Sequence, residues 1–129
     1  MNTATVSPLI AIQEFLHATA AKDWVAMRNI VADDAVWTLP GTSLISGEIR
    51  GGDAVVSRAK QLAEYGVNVT IERFLYGLSD VTLLLHNTSQ RGDVVLDEHL
   101  CNVCRIRDGK ITNIDTYVSD VEMINTFFV

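Results

Sequence analysis

The amino-acid sequence predicts an α+β domain in which helices pack on a curved, antiparallel sheet. Three observations favour this fold class. Apolar residues recur with helical spacing in the first half of the chain, apolar and polar residues alternate from Val67 onward, and Asp108-Gly109 joins the last two long strands. A chain of 129 residues accommodates one domain, residues 1–129, with a single sizeable core.

Three N-terminal helices are predicted, and each is bounded by capping or turn residues. Helix one runs from the N-cap and first-turn pair Ser7-Pro8 to about Ala21, helix two from Asp23 to just before Asp33-Asp34, and helix three from Gly51-Gly52-Asp53 to near Tyr65-Gly66. A short C-terminal helix follows the capping pair Ser119-Asp120. These four segments provide the helical layer.

The strands fall into two groups. Two short extended pieces, 35–39 and 44–50, lie between helices two and three. Four longer strands follow helix three: 67–76, 80–89 and the two arms of a hairpin that spans 94–118. The sheet is therefore built mainly by the second half of the chain.

The register of the hairpin decides which side chains share a face. A three-residue loop at Arg107-Asp108-Gly109 keeps the apolar residues of both arms together, which burial of one face requires. In that register the opposite pairs are Leu100 with Thr116, Glu98 with Val118, and Asn102 with Ile114. A two-residue Asp-Gly turn shifts the pairing by one, and the sequence alone leaves that alternative open.

Composition excludes several functional classes. The net charge is −6, the pI is about 4.8, and the ten basic residues are scattered, so no nucleic-acid partner is expected. No apolar run approaches the roughly 18 residues that span a bilayer, and residues 1–8 lack a secretory signal, so we expect no membrane partner and a cytoplasmic location. A hydrophobic content of 48% indicates extra apolar surface for a pocket or a subunit interface.

The two cysteines, Cys101 and Cys104, have the C-x-x-C spacing of redox and zinc sites. On a strand, residues three apart point to opposite faces, so these thiols are expected to be two separate strand residues. No His, Asp and Glu spacing along the chain indicates a metal, and no cofactor is expected.

The order of elements resembles the NTF2-like superfamily, and within it the SnoaL-like and ketosteroid-isomerase-like domains. The likeness rests on three stretches and covers nearly the whole chain: 31–37 (VADDAVW), 49–55 (IRGGDAV), and 107–112 (RDGKIT) followed by Thr116-Tyr117. The resemblance implies a cone-shaped domain that encloses one apolar pocket for a small ligand. It also implies a homodimer formed through the outer face of the sheet.

The same resemblance does not transfer a known mechanism. Phe15, Leu39 and Asn102 stand where steroid isomerases have an oxyanion-donor tyrosine, a base aspartate and a protonated aspartate. Thr116 aligns with the final-strand aspartate of limonene-epoxide-hydrolase-like members, and Trp37 matches their pocket tyrosine only as an aromatic residue. Neither reaction is therefore expected here.

Glu98 and His86 are the predicted catalytic residues. Glu98 lies between two leucines, and a carboxylate among apolar side chains is a candidate general acid or base, although it can also face water or pair with an arginine. If Gln90-Arg91-Gly92 is a three-residue loop, His86 is diagonal to Glu98 on one face. A two-residue turn at Arg91-Gly92 instead directs His86 outward and Asn87 inward.

The remaining candidates divide between the two faces of the sheet. Residues expected to shape the pocket and orient its ligand are Trp37, Asn102, Thr116, Leu100, Val118 and Phe15. Residues expected on the outer face, at a dimer interface, are Asp97, His99, Asp115 and Tyr117. The sequence thus favours a small enzyme that acts by acid-base catalysis on an apolar ligand, with a non-catalytic binding or dimerisation module as the alternative.

Overall fold

The computed structural model describes the backbone of residues 3–129 and the side chains from residue 8 onward. Its elements, in chain order, are α1 (Thr3–Ala21), α2 (Trp24–Ile30), β1 (Val31–Leu39), β2 (Gly47–Arg50), α3 (Gly52–Glu64), β3 (Asn68–Tyr76), β4 (Asp80–Arg91), β5 (Val94–Arg107), β6 (Lys110–Val118) and α4 (Val121–Phe127). The protein is a mixed α+β domain with four helices and a six-stranded curved sheet.

One of the predicted helix features needs correction. Helix α1 begins at Thr3, so Pro8 lies inside it and not at its first position. The side chain of Ser7, the predicted N-cap, lies outside the described residues. The predicted placement of two strands between helices two and three is confirmed, because β1 and β2 separate α2 from α3. The predicted caps at Asp23 and Asp120 are confirmed, since each carboxylate accepts a backbone N–H three residues ahead, from Ala26 and Met123.

The six strands lie in the order β2-β1-β6-β5-β4-β3. Every neighbouring pair is antiparallel except β1 and β6, which run parallel, so the prediction of an all-antiparallel sheet is wrong at this one pair. A parallel pair needs a long connection, and α3 with the four strands β2, β3, β4 and β5 provides it.

The predicted hairpin register is wrong by two residues. Asp108 and Gly109 both have positive φ and form a two-residue turn, and Thr112 is then an extra residue in β6 between Ile111 and Asn113. As a result Leu100 lies opposite Val118 and Asn102 opposite Thr116. Because the error is an even number of residues, each side chain keeps its predicted face.

The buried apolar residues form two clusters. The larger core lies between the helices and the inner face of the sheet, where Ile12, Met27, Val55, Leu83 and Ile111 are buried. A second cluster gathers around α4, which packs against β5, and includes Leu96, Ile124 and Phe127. From residue 3 onward, no helix is long and apolar enough to cross a membrane.

Candidate functional site

A cavity of about 480 Å³ lies between the inner face of the sheet and the helices. Its wall is mainly apolar, and seven of the eight predicted site residues contribute to it: Phe15, Trp37, Glu98, Leu100, Asn102, Thr116 and Val118. Since β5 contributes alternate residues to one face, Glu98, Leu100 and Asn102 line it in a row. The eighth residue, His86, is not part of the wall.

Glu98 is only 1% exposed, and one of its oxygens is firmly held. Oε1 accepts the backbone N–H of Ser119 at 2.6 Å, the Ser119 hydroxyl at 3.1 Å and the backbone N–H of Asp120 at 3.1 Å. These donors lie just before α4 and replace the water that burial removes from the carboxylate. The orientation of Glu98 is therefore fixed by the chain segment that caps α4.

The other oxygen of Glu98 has no such partner. Oε2 is buried and receives no hydrogen bond, and among the described residues only one other buried side-chain oxygen or nitrogen is in this state, Oδ1 of Asn87. Asn87 lies directly opposite Glu98 on β4, and both residues line the cavity. Two unpaired acceptors thus meet in one part of the cavity wall.

Three polar side chains form a relay further along the wall. The indole Nε1–H of Trp37 donates to the Thr116 hydroxyl at 2.9 Å, and that hydroxyl donates to Oδ1 of Asn102 at 2.6 Å. Because an indole is only a donor, the single hydroxyl hydrogen of Thr116 is committed to Asn102. This direction fixes the amide of Asn102, whose Nδ2 hydrogens are turned away from Thr116.

The predicted dyad of His86 and Glu98 is wrong. The turn between β4 and β5 contains only Gly92 and Asp93, with Gly92 at φ 61°, so Arg91 pairs with Val94. This register places His86 opposite His99 and sends both to the outer face, defined here as the side of the sheet away from the cavity. The faces are those of the alternative prediction, with His86 outside and Asn87 inside, although the turn lies one residue later than the Arg91-Gly92 turn of that alternative.

The outer face carries its own polar contacts. Nε2 of His86 lies 2.5 Å from Oδ1 of Asp97, and Nδ1 of His99 lies 3.1 Å from Oε1 of Glu72. The hydrogen bond from His86 holds the pKa of Asp97 below its ordinary value. Asp115 accepts the Thr38 hydroxyl at 2.8 Å, and Tyr117 is 62% exposed.

The two cysteines are on opposite sides of β5, as their strand spacing predicts. Cys104 is buried in the cavity wall, whereas Cys101 is half-buried and is not part of it. Burial, assisted by the charge of Asp115, raises the pKa of the Cys104 thiol to about 12. The thiol is therefore protonated at neutral pH and serves as a small apolar group.

Arg58 is a buried cation close to the cavity wall that sequence reasoning did not identify. It is 4% exposed, and its guanidinium donates to the carbonyls of Trp37, Ser46 and Gly47 at 3.1–3.3 Å. Its central carbon lies 5.4 Å from the centre of the Trp37 ring, a cation–π distance. Burial lowers the pKa of Arg58, and its contacts assign it to holding Trp37 in place.

Sequence reasoning also missed the partners of Glu98. Asn87 appeared only in the alternative register, and Ser119 with Asp120 was recognised as a helix cap without a link to Glu98. The contact joins residues 21 and 22 positions apart, which no local pattern reports. The available signal was strand alternation. It places Glu98 on the same face of β5 as Leu100, and the partner of Leu100, Val118, ends β6 immediately before Ser119 and Asp120.

The chain matches the family model described as SnoaL-like domain over residues 12–114. Among curated proteins, none matches this sequence. Many solved structures are similar to this chain, and three of them are similar over most of their length. Bal32a from a soil-derived mobile gene cassette has 20% identity and a TM-score of 0.89, with 98% of this chain and 100% of that chain covered.

The other two structures come from Mycobacterium tuberculosis. An LEH-like epoxide hydrolase has 23% identity and a TM-score of 0.74, covering 95% of this chain and 90% of its own. RV0760c, in complex with estradiol-17beta-hemisuccinate, has 25% identity and a TM-score of 0.77, covering 91% and 96%. Identities at this level support a shared fold, and the cavity itself must support any activity.

Proposed function

Because this chain belongs to the SnoaL-like domain family, within the NTF2-like superfamily, we propose that it binds a small, mostly apolar molecule in the cavity and acts on it by general acid-base chemistry through Glu98. The observation that carries this proposal is that Glu98, which lines the cavity, has a buried carboxylate oxygen, Oε2, without a hydrogen-bond partner. Oε1 is held by three donors, so Oε2 is the oxygen that exchanges a proton with a ligand.

The pair formed by Glu98 and Asn87 defines one end of the ligand. A buried acceptor without a donor costs roughly 1–3 kcal/mol, and here two such acceptors lie opposite each other. An O–H or N–H group of a ligand satisfies one of them directly. When the Asn87 amide turns over, its Nδ2 becomes a donor beside the Glu98 carboxylate, and the pair then offers a base and a donor together.

The remainder of the wall defines the body of the ligand. Glu98 and Asn102 are four residues apart on β5, so their Cα atoms are separated by about 13 Å. Leu100 lies between them on the same face, opposite Leu85, and both line the cavity. An apolar skeleton with a polar group at each end matches this wall, and about 480 Å³ falls within the roughly 300–1,000 Å³ of small-molecule sites.

Binding is tested first with a probe. Estradiol-17beta-hemisuccinate, which the similar structure RV0760c holds, has an apolar skeleton with polar ends. We expect it to alter the fluorescence of the tryptophans in a saturable manner, since Trp37 lines the cavity. Leu100→Glu places a charge in that wall and should abolish the change, whereas Cys101→Ser, one residue away on the outer face, should retain it.

Acid-base chemistry is tested separately, by hydrogen exchange. A panel of apolar cyclic ketones is incubated with the protein in D₂O, and NMR follows exchange at the carbons beside the carbonyl. Glu98→Gln should slow protein-catalysed exchange by roughly 10²-fold or more, because the amide cannot accept the proton. The matched control is Asp97→Asn, the adjacent residue on the outer face, which should leave exchange unchanged.

A non-catalytic binding module is the second candidate. Its specific support is that Glu98 is the sole Asp, Glu or His in the described part of the cavity wall, so no second carboxylate or imidazole assists it there. For a binding module, the probe binds but neither wild type nor Glu98→Gln accelerates exchange in any ketone. Accelerated exchange that survives Glu98→Gln would remove Glu98 as the proton carrier.

We also propose that two copies of the chain associate through the outer face. Support comes from Tyr117, Val95 and Leu75 of β6, β5 and β3, which are 62%, 55% and 45% exposed, respectively. Sedimentation at micromolar concentration should give twice 14.2 kDa, and Tyr117→Lys should shift it toward one chain. A wild-type protein that sediments as a single chain would contradict the association.

A further inference from the structure

The outer face carries a cluster of side chains that the cavity does not use. His86 of β4 lies directly opposite His99 of β5, and Asp97 precedes His99 by two residues on the same strand. The two imidazoles are stacked, with ring centres 4.1 Å apart and planes inclined by 12°. One ligand atom from each of these three residues lies within 4.8 Å of the other two.

We propose that His86, Asp97 and His99 form a binding site for a divalent transition-metal ion of the zinc class. Two imidazole nitrogens and one carboxylate oxygen are ligands that zinc takes in proteins, with water in the fourth position. No linear motif signals the site, since Asp97 and His99 alternate with inward-facing residues and His86 comes from the neighbouring strand. The antiparallel register creates it.

Metal binding requires the two imidazoles to rotate, because stacked parallel rings direct their nitrogen lone pairs side by side and not at one point. Two ligands at roughly 2.0–2.1 Å from a tetrahedral zinc ion are about 3.4 Å apart. The three ligand atoms are now up to 4.8 Å apart, and we expect rotation of the side chains to bring them to this distance. In a single chain the side chains of His86, Asp97 and His99 are 31%, 61% and 62% exposed, so there they are free to turn and the ion can enter from solvent.

Glu72 supplies the outer support that metal-bound histidines usually have. Its Oε1 lies 3.1 Å from Nδ1 of His99, so a hydrogen on Nδ1 is donated to the carboxylate. This contact fixes the tautomer and leaves Nε2 of His99 with its lone pair available to an ion. Asp97 of the cluster and the adjacent Glu72 are both carboxylates, and a divalent cation balances their negative charges.

Zinc titration of the full-length protein, after treatment with EDTA, tests the proposal. We expect one zinc ion per chain by isothermal calorimetry, a rise of the melting temperature with zinc concentration, and selective shifts of the His86 and His99 ring signals by NMR. His86→Ala and His99→Ala should each weaken binding by about 10-fold or more, and Asp97→Asn should weaken it as well. None of the three side chains is buried, so circular dichroism should show that the variants fold.

The chain contains its own controls. His17 of α1 is the only other histidine, and His17→Ala should leave zinc affinity unchanged. Cys101 is the neighbouring outer-face thiol, and Cys101→Ser should likewise leave it unchanged. Magnesium should bind far more weakly, because it prefers oxygen ligands.

Several results would overturn the site. Zinc affinity that is unaffected by His86→Ala and His99→Ala would show that the ion binds elsewhere, and equal affinity for magnesium would indicate only an acidic patch. One zinc ion per two chains would place the site between copies. None of these results bears on ligand binding in the cavity, which lies on the other face of the sheet.

Discussion

Glu98 and Asn87 face each other across β5 and β4, and each presents a buried oxygen that receives no hydrogen bond from the described residues. One carboxylate therefore has two different roles. Its Oε1 accepts the backbone N–H groups of Ser119 and Asp120 just before α4, whereas its Oε2 has no hydrogen-bond partner, and Glu98 as a residue lines the cavity. Stability and function at this position are separable by substitution.

Glu98→Ala should lower the free energy of unfolding by roughly 1.5–3 kcal/mol, because the N–H groups of Ser119 and Asp120 lose a charged acceptor. Glu98→Gln should leave stability equal to wild type or higher. The glutamine oxygen retains these donors, and its nitrogen then donates to Oδ1 of Asn87. Urea unfolding of both variants measures the difference, and a glutamine variant as unstable as the alanine variant would contradict this account.

Much of the cavity wall follows from sequence because strand alternation survives errors in register. The hairpin prediction was wrong by two residues, yet Glu98, Leu100 and Asn102 stayed on the inner face. An even shift preserves the side on which each residue lies. A prediction of which face a strand residue occupies is therefore unaffected by a register error of an even number of residues.

The dyad prediction failed for the same physical reason. Its β4–β5 loop was one residue too long, and an odd error moves every side chain of β4 to the other face relative to β5. His86 and Asn87 consequently exchanged places. Sequence patterns did not distinguish the two turns, since Gly92 has positive φ and serves either loop. Because the sequence did not distinguish the two turns, it also did not predict that His86, Asp97 and His99 lie together on the outer face.

A second prediction concerns Gly52, at the first residue of α3. A Cβ at this position would lie 2.5 Å from the guanidinium of Arg28 and 2.9 Å from the carbonyl oxygen of Ala32. Arg28 is itself held by Asp33, Asp53 and the Val31 carbonyl, so it cannot move away without losing contacts. Gly52→Ala should therefore cost about 1–3 kcal/mol.

A double-mutant cycle separates the two clashes. In an Arg28→Ala background, the guanidinium is absent and only the Ala32 carbonyl remains in the way. The cost of Gly52→Ala should then be smaller than in wild type, which chemical unfolding of the four proteins can measure. Strictly additive costs would show that Arg28 is not what excludes a side chain at Gly52.

A third prediction concerns acid unfolding. The hydrogen bond and the positive charge of Arg28 hold the pKa of Asp33 below its ordinary value. A carboxyl group with a lowered pKa in the folded state contributes stability above its ordinary value, and that contribution disappears as the pH falls through the lowered value. The unfolding free energy should therefore decline below about pH 4 in part because of Asp33.

Asp33→Asn should flatten this part of the pH dependence, as measured by urea unfolding between pH 5 and pH 2. The effect should be small and should weaken with added salt, because the Asp33 side chain is 91% exposed. Asp34→Asn is the matched control at the adjacent residue, which forms no ion pair within the described part of the chain. A pH profile that is the same for both variants would contradict the assignment.

The last prediction tests the relay from Trp37 through Thr116 to Asn102. Thr116→Val preserves the shape of the side chain but removes the hydroxyl that accepts from the indole and donates to the amide. Trp37 and Thr116 are 5% and 6% exposed, so water does not easily replace the lost partner. The unfolding free energy should fall by about 1–3 kcal/mol.

Thr112→Val provides the comparison, because it removes a hydroxyl that donates to the Arg105 carbonyl at an exposed position. Its cost should stay within about 0.5 kcal/mol. The indole N–H signal of Trp37 should also move markedly in Thr116→Val and little in Thr112→Val. If both variants were equally stable and the indole signal were unchanged, the Trp37 nitrogen would have another acceptor. Asn102 would then not be oriented by Thr116, and its amide would not be fixed at the far end of the cavity from Glu98.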